Sequence, residues 1–440
     1  MAGEWAAAKL GDVADLLTGF PFKSDRYIED ETAPRLLRGD NVGQGTLRWD
    51  GAKRWPKDAV NDVADYWLRQ GDIILAMDRP WIDAGLKYAS VQAADLPSLL
   101  VQRVARLRGK EGLDTRFLKY VIGSRAFTDY VLSVQTGTAV PHISGGQIKS
   151  FDFRLPPRQE QRAIAQILGT LDDKIELNQR INETLEAIAR ATFQSWFVDF
   201  DPVRAKAKGH DTGLRKPIED VFPCGFEESE LDQVPQGWTV GSILDQAKLL
   251  SGGTPKTDRD DYWNGDIAWA SAKDVSQSRD TFLIQTERSI TNLGLAESAT
   301  QKVPACATVV VARGATTGRM ILLGHDMAMN QTCYALTSKI DAPFALYCQL
   351  RHQIAALVHA AHGSVFDTIT TSTFDTARFL LPPAPALLAF ERVLQPFFSK
   401  ILANTEQSIT LAALRDALLP KLISGELRVK DAERFVGRYA

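Results

Sequence analysis

From Glu160 to Ile188 the apolar residues Ile164, Ile167, Leu168, Leu171, Ile175, Ile181, Leu185 and Ile188 recur at steps of three and four. That spacing lays them on one stripe and predicts a long amphipathic helix, opened by the Pro156-Pro157 pair. A second segment, Leu380 to Ile423, repeats the design 226 positions later (382 − 156 for the leading prolines). The offset pairs Ile164 with Phe390, Leu171 with Phe397, Ile175 with Ile401, Leu185 with Leu411 and Asn178 with Asn404 without a gap. A register held over some forty residues marks an internal duplication. Gly169 and Pro396 stand early in the two helices and predict a kink or short break in each. Asn178 and Asn404 admit two readings: facing each other across an antiparallel pair, or meeting water at the edge of the stripe.

The duplication extends upstream. "GTAVPHISGGQIKSFDFRLPP" from Gly137 faces "GSVFDTITTSTFDTARFLLPP" from Gly363, and "WAAAKLGDVADLLTGFPFKSD" from Trp5 matches "WTVGSILDQAKLLSGGTPKTD" from Trp238. The middles diverge, as expected of one scaffold carrying two different surfaces. Short β-like runs, Gly71–Met77 and Ala307–Gly314, mix with helical stretches at Thr115–Val134 and Pro343–Ala361. The expected fold class is α+β: mixed domains at 1–157 and 237–383, long antiparallel helices at 158–198 and 384–428, a connector at 199–236 and a tail at 429–440. A helix from Glu160 to Trp196 would be ~55 Å long at 1.5 Å per residue. An antiparallel pair of this length would act as a spacer of about one to one and a half turns of B-DNA.

Composition narrows the function. The 440 residues are 45% hydrophobic and 24% charged, as in an ordinary soluble protein. No apolar run reaches membrane-spanning length, and the acidic N-terminal stretch does not suit a signal peptide; a cytoplasmic protein is expected. The four cysteines lack metal spacing and suggest buried free thiols. A net charge of −3 provides no general attraction for phosphate, so DNA binding would need a local basic surface or a partner's grip. There is no Walker A loop, and the six histidines form no metal pattern with the cysteines.

Together "LPPRQEQRAIAQILGTLDDKIELNQRINETLEAIARATFQSWFVDFDPV", "LLSGGTPKTDRDDYWNGDIAWASAKDV" and the terminal "LLPKLISGELRV" resemble the specificity (S) subunits of type I restriction–modification systems. The resemblance implies a non-catalytic subunit whose two target-recognition domains read the halves of a split site in double-stranded DNA. It implies that the helices dock two modification (methyltransferase) subunits, with restriction/translocase subunits joining. S-adenosylmethionine, and ATP with Mg for restriction, would be bound by those partners and not by this chain.

Loop residues of the types that contact phosphates and base edges are Lys23, Arg38, Asn41, Arg79, Thr136, Thr138 and His142 in the first domain. In the second they are Lys256, Lys273, Arg313, Thr316, Thr317, Arg319, His362 and Ser364. Each alone also reads as a solvated surface residue, and His142 as a structural histidine; as a set they are supported by recurrence in both halves. Phe193, Trp196 and Phe197, with Leu418, Leu419 and Leu422, close the two helices and read either as partner anchors or as packing against the connector. The competing function is a coiled-coil scaffold without DNA readout.

Overall fold

The computed structural model describes residues 5–137, 139–230, 232–361 and 368–436. The chain falls into two compact units, 1–174 with 410–440, and 175–409. The fold is α+β.

In the first unit, strands β1 (Ala14–Thr18), β2 (Gln44–Gly45), β3 (Ile73–Ala76), β4 (Tyr88–Ser90) and β5 (Val104–Gly109) form a sheet in the order β1-β5-β3-β4-β2. Only the β4–β2 pair is parallel. β3 reads Ile-Ile-Leu-Ala and is buried throughout, as a central strand covered on both faces must be. Arg108 of β5 grips Asp72, which is 3% exposed, with bonds of 2.5 and 2.8 Å, so this charge buried beside β3 is paired.

The second unit repeats this sheet strand for strand. β6 (Ala247–Ser251), β7 (Phe282–Leu283), β8 (Thr308–Val311), β9 (Met320–Leu323) and β10 (Cys333–Ser338) run β6-β10-β8-β9-β7, again with only the last pair parallel. A two-stranded ribbon closes each domain just before its Pro-Pro pair, Ala6–Lys9 on Asp152–Leu155 and Thr239–Gly241 on Phe379–Leu381. Gly19 and Gly252 occupy equivalent places. A Cβ on either would lie 2.1 Å from the Val101 oxygen or 1.9 Å from the Asn330 oxygen, so both copies keep the residue that lets backbone meet backbone.

Each long helix is unbroken: α1 spans Arg158–Phe197 and α3 spans Ala384–Ser424. Neither Gly169 nor Pro396 breaks its helix. Glycine mid-helix costs only about 1 kcal/mol and imposes no bend. Pro396 lies on the exposed face beside exposed Arg392, whose freed carbonyl can bond water.

Within unit 175–409, α1 and α3 run antiparallel, and their seam differs from the apolar stripe. The buried positions follow a seven-residue rhythm through Asn178, Asn182, Ala189, Phe193 and Trp196, while Ile188 is 43% exposed. The two aligned asparagines do not bond side chain to side chain. Asn178 donates to the Asn404 backbone oxygen (3.4 Å), Gln407 (3.0 Å) and Ser408 (3.2 Å), and Asn404 donates to Asn182 at 2.8 Å. A polar network in a buried seam fixes register, because any slip leaves its amides unpaired.

Each domain is fastened to its helix by a side chain accepting backbone N–H groups. In the first unit buried Gln161 of α1 accepts from Asp114 (2.8 Å) and donates to Gly112 (2.9 Å) and Pro156 (2.8 Å). In the second, Glu391 of α3 accepts from Ala345 (2.8 Å) in the first turn of α2 (Pro343–Ala361). The two anchors are not aligned residues: Glu391 falls opposite Ala165, one turn after Gln161. No described helix is long and apolar enough to cross a membrane. Cys333 and Cys348 are buried free thiols; Cys306 is half-buried and Cys224, against expectation, is exposed.

Candidate nucleic-acid interface

The loops joining the sheet strands carry the cations. In the first domain the β3–β4 connection holds Arg79, exposed, with φ of +43°. Its backbone N–H donates to Pro141 (2.6 Å), and Ile143 donates to Met77 (2.9 Å), so residues 141–143 are laid against this connection. Thr136 and His142 exchange backbone bonds of 2.9 and 2.7 Å, and their side chains meet at 3.1 Å. Arg79, Thr136 and His142 are thereby brought together. Thr138 lies outside the described residues.

A cleft beside them is lined by Arg38, Asp40, Asn41, Arg48, Asp50 and Lys53. Lys87 ties the two regions by donating to the Gly39 oxygen at 2.6 Å. Burial lowers the Lys87 pKa, helped by Arg48 and Arg79 and opposed by Asp40 and Asp78, so acids and bases are interleaved here. Lys23 is exposed just before the turn Ser24–Arg26, next to the Phe22–Trp55 packing.

Asn41 departs from the expected role. It is 8% exposed, its Oδ1 accepts the Arg38 N–H and its Nδ2 donates to the Arg48 oxygen, both at 2.9 Å. Asp274, its counterpart at offset 233, likewise accepts the Ser271 N–H at 2.9 Å. This recurrence in both halves reflects a shared cap and not a shared DNA contact.

In the second domain the β8–β9 connection spans 312–319. Arg313 and Arg319 are exposed, and among the described residues their guanidinium groups have no hydrogen-bonding or ionic partner. Thr316 accepts from Ser276 (2.7 Å) and Thr317 donates to the Gly314 oxygen (2.7 Å), so these hydroxyls shape the turn. Ser276 belongs to helix Ala272–Gln277, which also carries Lys273, paired with Glu287 at 2.6 Å on an exposed surface. Lys256 is exposed; its carbonyl accepts from Trp263 Nε1 (3.1 Å). His362 and Ser364 lie outside the described residues.

The aromatic helix end is interior, which corrects the partner-anchor reading. Phe193, Trp196 and Phe197 are each no more than 6% exposed and pack with Phe222 of the connector, Trp238 at the start of the second domain and Phe390 of α3. Leu418 and Leu422 are buried as well, and Leu419 is half-buried. Apart from Leu419, the large apolar groups at these ends are consumed by folding. Cations missed in the sequence are Arg48, Lys53 and Lys87; runs such as "LRWDGAKRW" carried the charge but not its convergence on Arg38.

The geometry defines a class: a duplicated scaffold presenting two different sets of cationic loops and no metal-binding cluster among the described residues. The family model for the type I restriction modification DNA specificity domain matches residues 2–187 and 235–412, and the chain belongs to that family. It is 26% identical over 386 residues to the type I restriction enzyme MjaIX specificity subunit of Methanocaldococcus jannaschii, covering 87% of this chain and 83% of that one. It is 28% identical over 357 residues to the HindI specificity subunit of Haemophilus influenzae, covering 71% and 77%. A solved type I restriction–modification S subunit from M. genitalium shares the fold at a TM-score of 0.57 and 13% identity, over 95% of this chain and 96% of that one.

Proposed function

We propose that this chain is the DNA-recognition subunit of a type I restriction–modification complex, each domain reading one half of a bipartite double-stranded site. One observation carries the reading: the same five-stranded sheet occurs twice, and the equivalent connections on it bear different exposed side chains. A scaffold needs no such divergence, whereas a split target needs two readers on one frame. α1 and α3 serve as the spacer and as the dock for two modification subunits, with restriction/translocase subunits joining the assembly. With the aromatic ends buried, docking falls to exposed apolar residues of α1. Leu177 and Ile188, 42% and 43% exposed, stand eleven residues apart, about three turns, and so share a face. The chain supplies no catalysis; S-adenosylmethionine, and ATP with Mg for restriction, act on the partners.

The test is co-expression with the neighbouring modification subunit and single-molecule mapping of methylated bases on a plasmid. A split motif with a fixed gap is expected, and exchanging residues 1–157 should change only one half of it. Copurification without sequence-specific methylation would favour the scaffold reading, and catalysis by the purified chain alone would also sink the proposal.

A further inference from the structure

The connection between the third and fourth strands of the sheet differs between the two domains. In the second it is the compact turn Ala312–Arg319, of small residues between two arginines. In the first it is a projecting hairpin, with Trp81 opposite Leu86, Ile82 opposite Gly85, and Asp83 and Ala84 at the tip. Its base is fixed: Pro80 and Leu86 are buried, and the Lys87 N–H bonds the Pro80 oxygen at 2.7 Å. Its tip is not. Trp81 is 37% exposed and Ile82 40%, among the few large apolar side chains left in solvent. Cations border it on both strands: Arg79 two residues before Trp81, and Lys87 directly after Leu86, with Arg48 in the adjoining cleft. Solvated Trp81 and Ile82 cost free energy unless something covers them, and Arg79 and Lys87 offer cations to a polyanion, with Asp78, Asp83 and Asp40 interleaved among them.

Resting on the DNA-recognition reading above, we propose that this hairpin enters the major groove of the first half-site and that Trp81 and Ile82, on opposite faces of the ribbon, each contact a thymine methyl group there. Width selects the groove. A two-stranded ribbon fits the ~12 Å major groove but not the ~6 Å minor groove. Chemistry selects the base, because the thymine C5-methyl is the apolar group displayed in that groove. The second domain, with arginines at the same place, reads its half-site by polar contacts. The two half-sites are thus recognised by different chemistry.

The experiment uses the complex of this chain with its modification subunit on duplexes carrying the mapped motif. Thymines are replaced one at a time by deoxyuridine, which removes only the methyl group. For the wild-type complex two replacements in the first half-site should each weaken binding about fourfold, the worth of one buried methyl. Trp81→Ala and Ile82→Ala should each abolish the effect of one such replacement, a different one for each variant, and replacements in the second half-site should act equally on all complexes. Both side chains are exposed, and retained discrimination at the second half-site reports that each variant is folded. A first half-site without thymine, or a deoxyuridine effect unchanged by the substitutions, overturns the proposal. So does 2-aminopurine fluorescence that rises at one step with the wild type and not with the variants, since that marks insertion between bases. If the wild-type complex selects no bipartite sequence, the recognition reading itself fails, a result distinct from these.

Discussion

Glu391→Gln tests how the second domain is fastened to its helix. Glu391 is 8% exposed, and its carboxylate accepts N–H groups from the first turn of α2, Ala345 at 2.8 Å and Phe344. Burial pushes its pKa up to about 7 from an ordinary 4.5; the two N–H bonds pull the other way and lose, and Asp341 adds repulsion. The sign follows. Between about 4.5 and 7 the folded chain holds a proton that the unfolded chain has released, so rising pH destabilises the fold across that window and has no further effect above it. A shift of about 2.5 units at 1.36 kcal/mol each amounts to about 3 kcal/mol. Glutamine keeps an acceptor for the N–H groups and cannot ionise, at a cost of about 1 kcal/mol for replacing a carboxylic acid by an amide at a packed site. The variant should therefore match the wild type near pH 5 and exceed it by about 2 kcal/mol at pH 8. Urea unfolding of both full-length chains at the two pH values measures this, and the difference between chains cancels every titration they share. A variant less stable than the wild type at pH 8 would show that the helix N-terminus stabilises the carboxylate more than burial opposes it, and would refute the reasoning.

Asp172 receives Lys119 at 2.5 Å, Tyr120 at 2.9 Å and Arg415 at 2.9 Å, so Asp172→Asn leaves two cations facing each other; with both partly solvated the expected loss is about 2 kcal/mol in urea unfolding. Burial raises the Asp172 pKa, but Lys119 and Arg415 outweigh it and hold it below the usual carboxylate range, so this stabilisation is present above the ordinary pKa and fades as pH falls through the folded one. Gly19→Ala and Gly252→Ala should each lower stability by about 3 kcal/mol in thermal unfolding, because the added carbon meets backbone, whereas Gly39→Ala, with nothing within 4 Å, should change it by less than about 0.5 kcal/mol. In the assembled complex Arg313→Ala and Arg319→Ala should each weaken specific DNA binding about tenfold without altering stability; anisotropy titrations against salt would assign a reduced slope to a lost phosphate contact and an unchanged slope to a base contact.

The duplication, the two long helices, the paired domains and the family were legible in the sequence, because an unbroken register and a local hydrophobic period survive in one dimension. Gly19 and Gly252 were likewise aligned before the carbonyls they accommodate were known. What the sequence could not decide was partnership. Trp196 has the same appearance whether it is covered by another subunit or by Phe222 and Phe390, and only folding brings those residues to it from 26 and 194 positions away (222 − 196 and 390 − 196). Asn41 carries the chemistry of an adenine reader, but a loop closing seven residues later at Arg48 uses both ends of its amide. Asn182 and Ala189 hold the helix seam while Ile188 faces solvent, since a small residue and a satisfied amide let two backbones approach where a larger apolar group would hold them apart. Local pattern fixes which segments become helix or strand; which surface is left over for DNA is set only after the fold has taken the side chains it needs.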